Sequence, residues 1–217
     1  MRTVRFHFDL LSPFAYICWH RLPALLAPTG SALVPVPTLL GVLLAAHGTR
    51  GPAEIPVRRM YAYKDAFRKA HAAGLPLIPP PTHPFNPLLA MRVAGLPDHA
   101  PGEQQARITA LFAAVWQTGE GVEDAPTIQH VLDRAGLEGA RCLAEAGEEP
   151  AKSRLKANTA AALEAGVFGV PTMIVDGEMF WGVDSLDALA LFLDGQDPVP
   201  AEGLERWRTL PASVVRR

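Results

Sequence analysis

The chain has 217 residues, 49% of them hydrophobic and 19% charged, so one cored domain or a domain carrying an insertion fits and bulk disorder does not. Its 20 basic and 22 acidic residues leave a formal charge of −2, which removes the electrostatic case for nucleic acid or an anionic membrane as the main partner. Two cysteines, Cys18 and Cys142, form neither a disulfide framework nor a Cys-x-x-Cys pair; a single bridge is open on sequence alone, and reduced thiols in the cytoplasm are the simpler expectation.

Val4-Arg5-Phe6-His7-Phe8 alternates apolar and polar residues as a strand does. Arg5, His7 and Asp9 interrupt any apolar signal core there, so no secretory signal is expected. Ser12-Pro13 opens a helix carrying Ala15, Ile17, Trp19 and Leu22, with Ser as cap and Pro in the first turn. Leu22 to Ala46 lacks Asp, Glu, Lys and Arg, but Pro23, Pro28, Pro35 and Pro37 break it, so it is predicted to be a helix end, a turn, a buried strand (Ala32 to Val36) and a new helix rather than a membrane span. Val57 to Ala73 is helical, with Val57, Met60, Tyr61, Lys64, Phe67 and Arg68 at spacings of three and four; Tyr61, Phe67 and Trp116 are expected in the core.

Six prolines between Pro76 and Pro87 exclude a regular element, and Phe85 gives that stretch an apolar anchor, so an ordered loop is expected. Helices follow from Asn86-Pro87 through Ala94, over the amphipathic Gln104 to Gln117, and over Thr127–Ala135, Gly139–Gly147 and Ala151–Ala165. Thr172 to Val175 and Glu178 to Trp181 flank Asp176-Gly177, a strong hairpin signal. Asp184 or Ser185 is predicted to cap a last helix, Leu186 to Leu193, and the tail from Gln196 is expected to pack loosely. The order β-α-β, helices, β-β-α makes an α/β chain of thioredoxin-like fold, with residues 1–50 and 166–217 as the thioredoxin-like domain and 51–165 as an all-helical insertion between its halves.

Thioredoxin-fold oxidants place Cys-x-x-Cys where this chain has Ser12-Pro13-Phe14-Ala15, because a helix N-terminus lowers a thiol pKa. With Ser12 and Ala15 in those places, dithiol exchange is excluded, while a hydroxyl can still donate to a thiolate supplied by another molecule. Taken alone, Ser12 is an ordinary N-cap. Val170-Pro171-Thr172 stands where the frame puts a cis-proline, a turn that leaves the Val170 backbone free to pair with an extended peptide. Backbone N–H groups near Trp181-Gly182-Val183-Asp184 suit a carboxylate and Asp184 an ammonium, both present in a γ-glutamyl group. No metal ligand set accompanies the scattered histidines.

Three segments carry a specific resemblance: Phe8-Asp9-Leu10-Leu11-Ser12-Pro13-Phe14-Ala15-Tyr16, Pro84-Phe85-Asn86-Pro87-Leu88, and Gly166 to Thr172 together with Gly177 to Asp184. The chain resembles the 2-hydroxychromene-2-carboxylate isomerases, a glutathione-dependent branch of the family that also holds kappa-class glutathione transferases and periplasmic disulfide oxidants. That resemblance implies glutathione with its sulfur near Ser12 and Phe14, its cysteinyl backbone on Val170 and Pro171, and its γ-glutamyl end on Trp181, Gly182, Val183 and Asp184. It further implies reversible thiolate addition, bond rotation and elimination on a small aromatic-degradation intermediate, in a cytoplasmic homodimer. Arg58 stands where the isomerases have Lys, and His83 where a substrate-contacting Tyr is found; Leu44 and Glu54-Ile55 replace other substrate-side positions. Arg58, His83 and Asn86 are therefore the candidate substrate residues, with a solvated helix face, a polar loop residue and a helix cap as their plainer roles. A transferase or peroxidase on the same frame, and a cysteine-free binding module, are the rival functions.

Overall fold

A computed structural model describes residues 1–200 and 204–211; the remainder of the expected loose tail, and of the 166–217 segment, lies outside the described residues. The elements run β1 (Thr3–Phe8), α1 (Pro13–Leu26), β2 (Ala32–Pro37), α2 (Leu40–Ala46), α3 (Pro56–Ala72), α4 (Leu88–Ala94), α5 (Glu103–Phe112), α6 (Ala125–Arg134), α7 (Gly139–Gly147), α8 (Glu149–Glu164), β3 (Thr172–Val175), β4 (Glu178–Trp181), α9 (Leu186–Leu193) and α10 (Leu204–Arg208). The sheet order is β2-β1-β3-β4, with β1 and β2 parallel and the other two pairs antiparallel. This is the thioredoxin-like arrangement, with five helices beginning at α3 interposed before α8 and β3.

Each strand has a local reason. Val4, Phe6 and Phe8 share one face of β1 and are fully buried, with Phe6 stacked on both Phe8 and Trp19 of α1. Phe8 also meets Phe112 of α5 with ring centroids 5.5 Å apart, so one core runs through sheet and insertion. β2 lies at the sheet edge, which is where Pro35 and Pro37 are tolerated. The β3–β4 turn puts Asp176 at φ 52° and Gly177 at φ 88°, the two left-handed residues that a tight hairpin needs. Leu39 N–H donates to Thr159 Oγ1 at 3.1 Å, and Leu43 packs with Ala162, Val167 and Val170, so α8 rests on the sheet side of the molecule. Among the described residues no helix is long and apolar enough to cross a membrane.

Three expectations are corrected. Tyr61 and Phe67 are 69% and 48% exposed, because α3 docks through the small residues Ala66 and Ala70 instead of its large apolar ones. The 104–117 stretch is not one α-helix: α5 ends at Phe112, and Ala113–Gln117 is a π-helical turn that carries the buried Trp116. Neither Asp184 nor Ser185 caps α9 with its side chain; Asp184 sits in a 3₁₀ turn (Val183–Ser185) and faces Lys69, while Ser185 Oγ donates to Gly182 O at 2.8 Å.

The proline-rich stretch is ordered. Its first residues are pinned by Tyr16 Oη donating to Pro76 O at 3.0 Å and Ile78 N–H donating to Trp116 O at 2.8 Å, and Phe85 near its far end is buried. The peptide bond His83-Pro84 is cis. Gly119, at φ 70°, backs the stretch so closely that a Cβ there would lie 2.7 Å from Ile78 Cγ2 and 2.8 Å from Pro79 O. Gly119→Ala should therefore destabilise the protein by roughly 1–3 kcal/mol, through positive φ and overlap together, seen as a lower denaturant midpoint with an unchanged slope.

Candidate active site

Strand pairing gathers the candidate residues at one end of the sheet. His7 pairs with Thr172 in antiparallel register, so the chain leaving β1 toward Ser12 passes beside Val170-Pro171 entering β3. Trp181 pairs with Thr172 from the other side, and Gly182 N–H donates to Pro171 O at 2.9 Å. Val170-Pro171 is cis. Among the described residues no hydrogen bond uses the N–H or C=O of Val170, which leaves that edge open to an extended ligand.

Ser12 is the N-cap of α1. Its backbone is extended (φ −96°, ψ 113°), its Oγ accepts from Ala15 N–H at 3.2 Å, and Pro13 follows at the first helical position. The hydroxyl hydrogen is left to donate outward. Phe14 is half-buried beside it, with the Lys69 ammonium 5.8 Å from its ring centroid. Lys69 reaches Asp65 at 2.6 Å and Asp184 at 3.3 Å. Burial works against its charge, but the bonds to the two carboxylates outweigh that and raise its pKa. Asp184 itself is 82% exposed on its side chain. With Arg21 and Asp187 the pair lines a surface cleft of about 310 Å³ that holds two cations and two carboxylates. Trp181, 55% exposed, packs against Phe168 with centroids 5.1 Å apart, and a Cβ at Gly169 would lie 3.0 Å from its Nε1.

Of the candidate substrate residues, Arg58 lies exposed on the first turn of α3. Asn86 is exposed, and its Oδ1 accepts from Leu88 N–H at 3.1 Å at the start of α4. His83 is brought to the Ser12 loop, with both ring nitrogens engaged: Nε2 lies 2.8 Å from Leu11 O and Nδ1 2.8 Å from Tyr63 Oη.

Asp9, Tyr63 and Lys69 are parts of the site to which motif and spacing assigned no role. Asp9 is fully buried, its Oδ1 accepting from Leu11 N–H at 3.0 Å and its Oδ2 from Leu40 N–H at 2.8 Å, so one carboxyl ties the Ser12 loop to the start of α2. Burial pushes its pKa up, the two N–H bonds oppose that, and the result is about 6. The small-residue stripe of Ala66 and Ala70 was the available signal that α3 turns its Tyr63 and Lys69 edge inward. Neither cysteine serves the site. Cys18 is buried in α1 and its thiol is pushed up to about 12 by burial, while Cys142 is buried in α7.

This end of the sheet, with a helix-capping Ser12 near a cis-proline, is the candidate ligand site of a thioredoxin-like fold. The chain matches the DSBA-like thioredoxin domain over residues 3–194 and belongs to that family. Within it the chain belongs with the 2-hydroxychromene-2-carboxylate isomerases: it is 32% identical over 189 residues to the one from Pseudomonas putida, covering 84% of this chain and 90% of that protein. A solved 2-hydroxychromene-2-carboxylate isomerase superposes with a TM-score of 0.80 at 28% identity, covering 95% of this chain and 97% of the other. Glutathione S-transferase kappa 1 of Rattus norvegicus is a more distant relative, 25% identical over 92% of this chain and 95% of its own.

The buried carboxyl carries a pH signature. The Asp9 carboxyl rises from an ordinary 3.8 unfolded to about 6 folded, so the folded state holds its proton more tightly. The stability this gives is complete below about pH 4 and is lost as pH rises through about 6, an upper bound of about 3 kcal/mol. Asp9→Asn should abolish that decline. Denaturation of both proteins across this range checks it, because a stability difference that stays flat with pH rules out the buried titration.

Proposed function

We propose that the chain is a glutathione-dependent cis-trans isomerase of 2-hydroxychromene-2-carboxylate or a closely related conjugated aromatic acid. One observation carries the reading: a helix N-terminus suited to stabilising a thiolate is capped by Ser12, and the chain's own thiols are buried away from reaction. The sulfur then has to arrive on a ligand.

In this reading the cysteinyl backbone of glutathione pairs with the open N–H and C=O of Val170 beside Pro171 and Phe14, and its ammonium meets Asp184. Lys69, already next to Asp184, is placed for the γ-glutamyl carboxylate, with Trp181, Gly182 and Val183 forming the wall. The Ser12 hydroxyl and the first N–H groups of α1 hold the thiolate. Sulfur adds to the conjugated double bond, one S–C bond forms, and the π electrons move onto the carbonyl side as an enolate. The former double bond is now single and rotates. Return of the electrons expels the thiolate and re-forms the double bond in the other geometry, so glutathione is not consumed. Arg58, exposed on α3, is the substrate-side cation able to clamp a carboxylate, and Asn86, also exposed, is the second substrate residue. We place this enzyme in the cytoplasm, where cysteines stay reduced, as a homodimer.

The kappa-class relative supports a second reading, a glutathione transferase, which would consume glutathione with each turnover. Calorimetric titration with reduced glutathione should give saturable one-to-one binding; no binding at millimolar concentration eliminates both readings. Ser12→Ala should lower kcat/KM by about 10²-fold with the fold intact, and unchanged turnover removes Ser12 from the mechanism. Asp184→Ala should weaken glutathione binding about tenfold, or about 1.4 kcal/mol, without loss of stability.

A further inference from the structure

We infer that His83, oriented by Tyr63, is a positioning residue: it fixes the Ser12 hydroxyl through the carbonyl of Leu11 and does not contact substrate. This rests on the reading of Ser12 as the group that stabilises the thiolate.

A carbonyl oxygen only accepts, so the 2.8 Å contact to Leu11 O puts the proton on His83 Nε2. Nδ1 then presents a lone pair, and Tyr63 Oη donates to it at 2.8 Å. The tautomer is thereby set from both sides, and no nitrogen is left for a ligand. The ring is also walled in by Trp116, Phe85 and Tyr63, at centroid distances of 5.4, 6.3 and 5.8 Å. Burial lowers its pKa, which keeps the imidazole neutral and Nδ1 an acceptor. The main chain is held as well, because the Arg59 guanidinium donates to His83 O. Both Arg59 and Tyr63 belong to α3.

The bond to Leu11 acts on Ser12 by simple geometry. Leu11 C=O and Ser12 N–H share one peptide plane. His83 holds its oxygen, and Asp9 O accepts from its N–H at 3.1 Å. With that plane pinned at both ends and Ser12 O held by Tyr16 N–H at 3.2 Å, φ of Ser12 is fixed at −96°, and with it the direction of Cα–Cβ and the hydroxyl. Releasing the oxygen lets the plane tilt, so the hydroxyl leaves its line to the thiolate while the pocket walls stay in place.

The test compares His83→Leu, which removes both bonds, with His83→Gln, whose amide can donate to Leu11 O and accept from Tyr63. In glutathione-free protein, the amide resonances of Ser12 and Ala15 should move in His83→Leu and return toward wild type in His83→Gln. With glutathione bound, ultraviolet absorbance of the thiolate should show about tenfold less thiolate in His83→Leu at a pH below both thiol pKa values, largely restored in His83→Gln, with the KM for the aromatic acid unchanged. Ser12 and Ala15 amides that stay put in His83→Leu overturn the inference, as does a raised acceptor KM with an unaltered thiolate fraction, which is the mark of a substrate contact. If wild type binds no glutathione, the reading of Ser12 fails, and the amide comparison still decides whether His83 positions it. Should His83→Leu fail to fold, Tyr63→Phe must shift the same two amides in the same direction, and a silent Tyr63→Phe overturns the inference.

Discussion

The two residues ahead of Ser12 give up every main-chain polar group to a side chain. Leu10 N–H points at Met91 Sδ (3.5 Å), Leu10 O accepts from Trp116 Nε1 (2.8 Å), Leu11 N–H donates to Asp9 Oδ1 (3.0 Å) and Leu11 O accepts from His83 Nε2 (2.8 Å). A chain turning abruptly from strand to helix has no ladder in which to satisfy these groups, and each one buried without a partner costs about 1–3 kcal/mol. Three of the four partners lie between β2 and β3 in sequence: His83 in the proline-rich stretch, Met91 in α4 and Trp116 in the π turn. The interposed helices thus form, besides their share of the core, a socket for one loop. The π turn, the cis bond at His83-Pro84 and the close approach of Gly119 are the local irregularities of that socket.

The opposite wall is built differently. Among the described residues the N–H and C=O of Val170 are left unpaired, and the side chains beyond it are charged: Lys69, Asp184, Arg21 and Asp187. The floor beneath Ser12 is aromatic and uncharged at Trp116 and His83, while the rim is ionic. Helix α3 spans both, with Tyr63 holding the floor and Lys69 the rim, about 1.7 turns apart on the same helix. A ligand with a sulfur at one end and an amino-acid group at the other matches that polarity along its length.

Much of this was legible in the sequence, for identifiable reasons. The alternation in Val4 to Phe8, Ser12-Pro13 at a helix start and Asp176-Gly177 between short strands are local signals obeyed locally, and they are sufficient to set the topology. What escaped was settled by tertiary packing. Spacing points to Tyr61 and Phe67 as core residues of α3, but both are exposed and the helix packs through Ala66 and Ala70. Asp184 carries every mark of a helix cap, yet a lysine more than a hundred residues earlier in the chain holds it instead. Asp9 was visible within a motif, but its work depends on Leu40, the first residue of a helix that sequence marks only vaguely. His83 was marked by its place in the chain, whereas its partners, a carbonyl and a tyrosine on another helix, exist only after folding.

With serine at position 12 and both cysteines sealed in the core, the chain offers oxidants no accessible thiolate. An enzyme whose reactive sulfur is its own residue is inactivated by a peroxide molecule by molecule and must wait for a dedicated reductase. In the reading proposed above, the vulnerable atom belongs to an exchangeable small molecule. Damage leaves with that molecule, and the resilience of the activity under oxidative stress becomes a property of the surrounding thiol pool rather than of the protein.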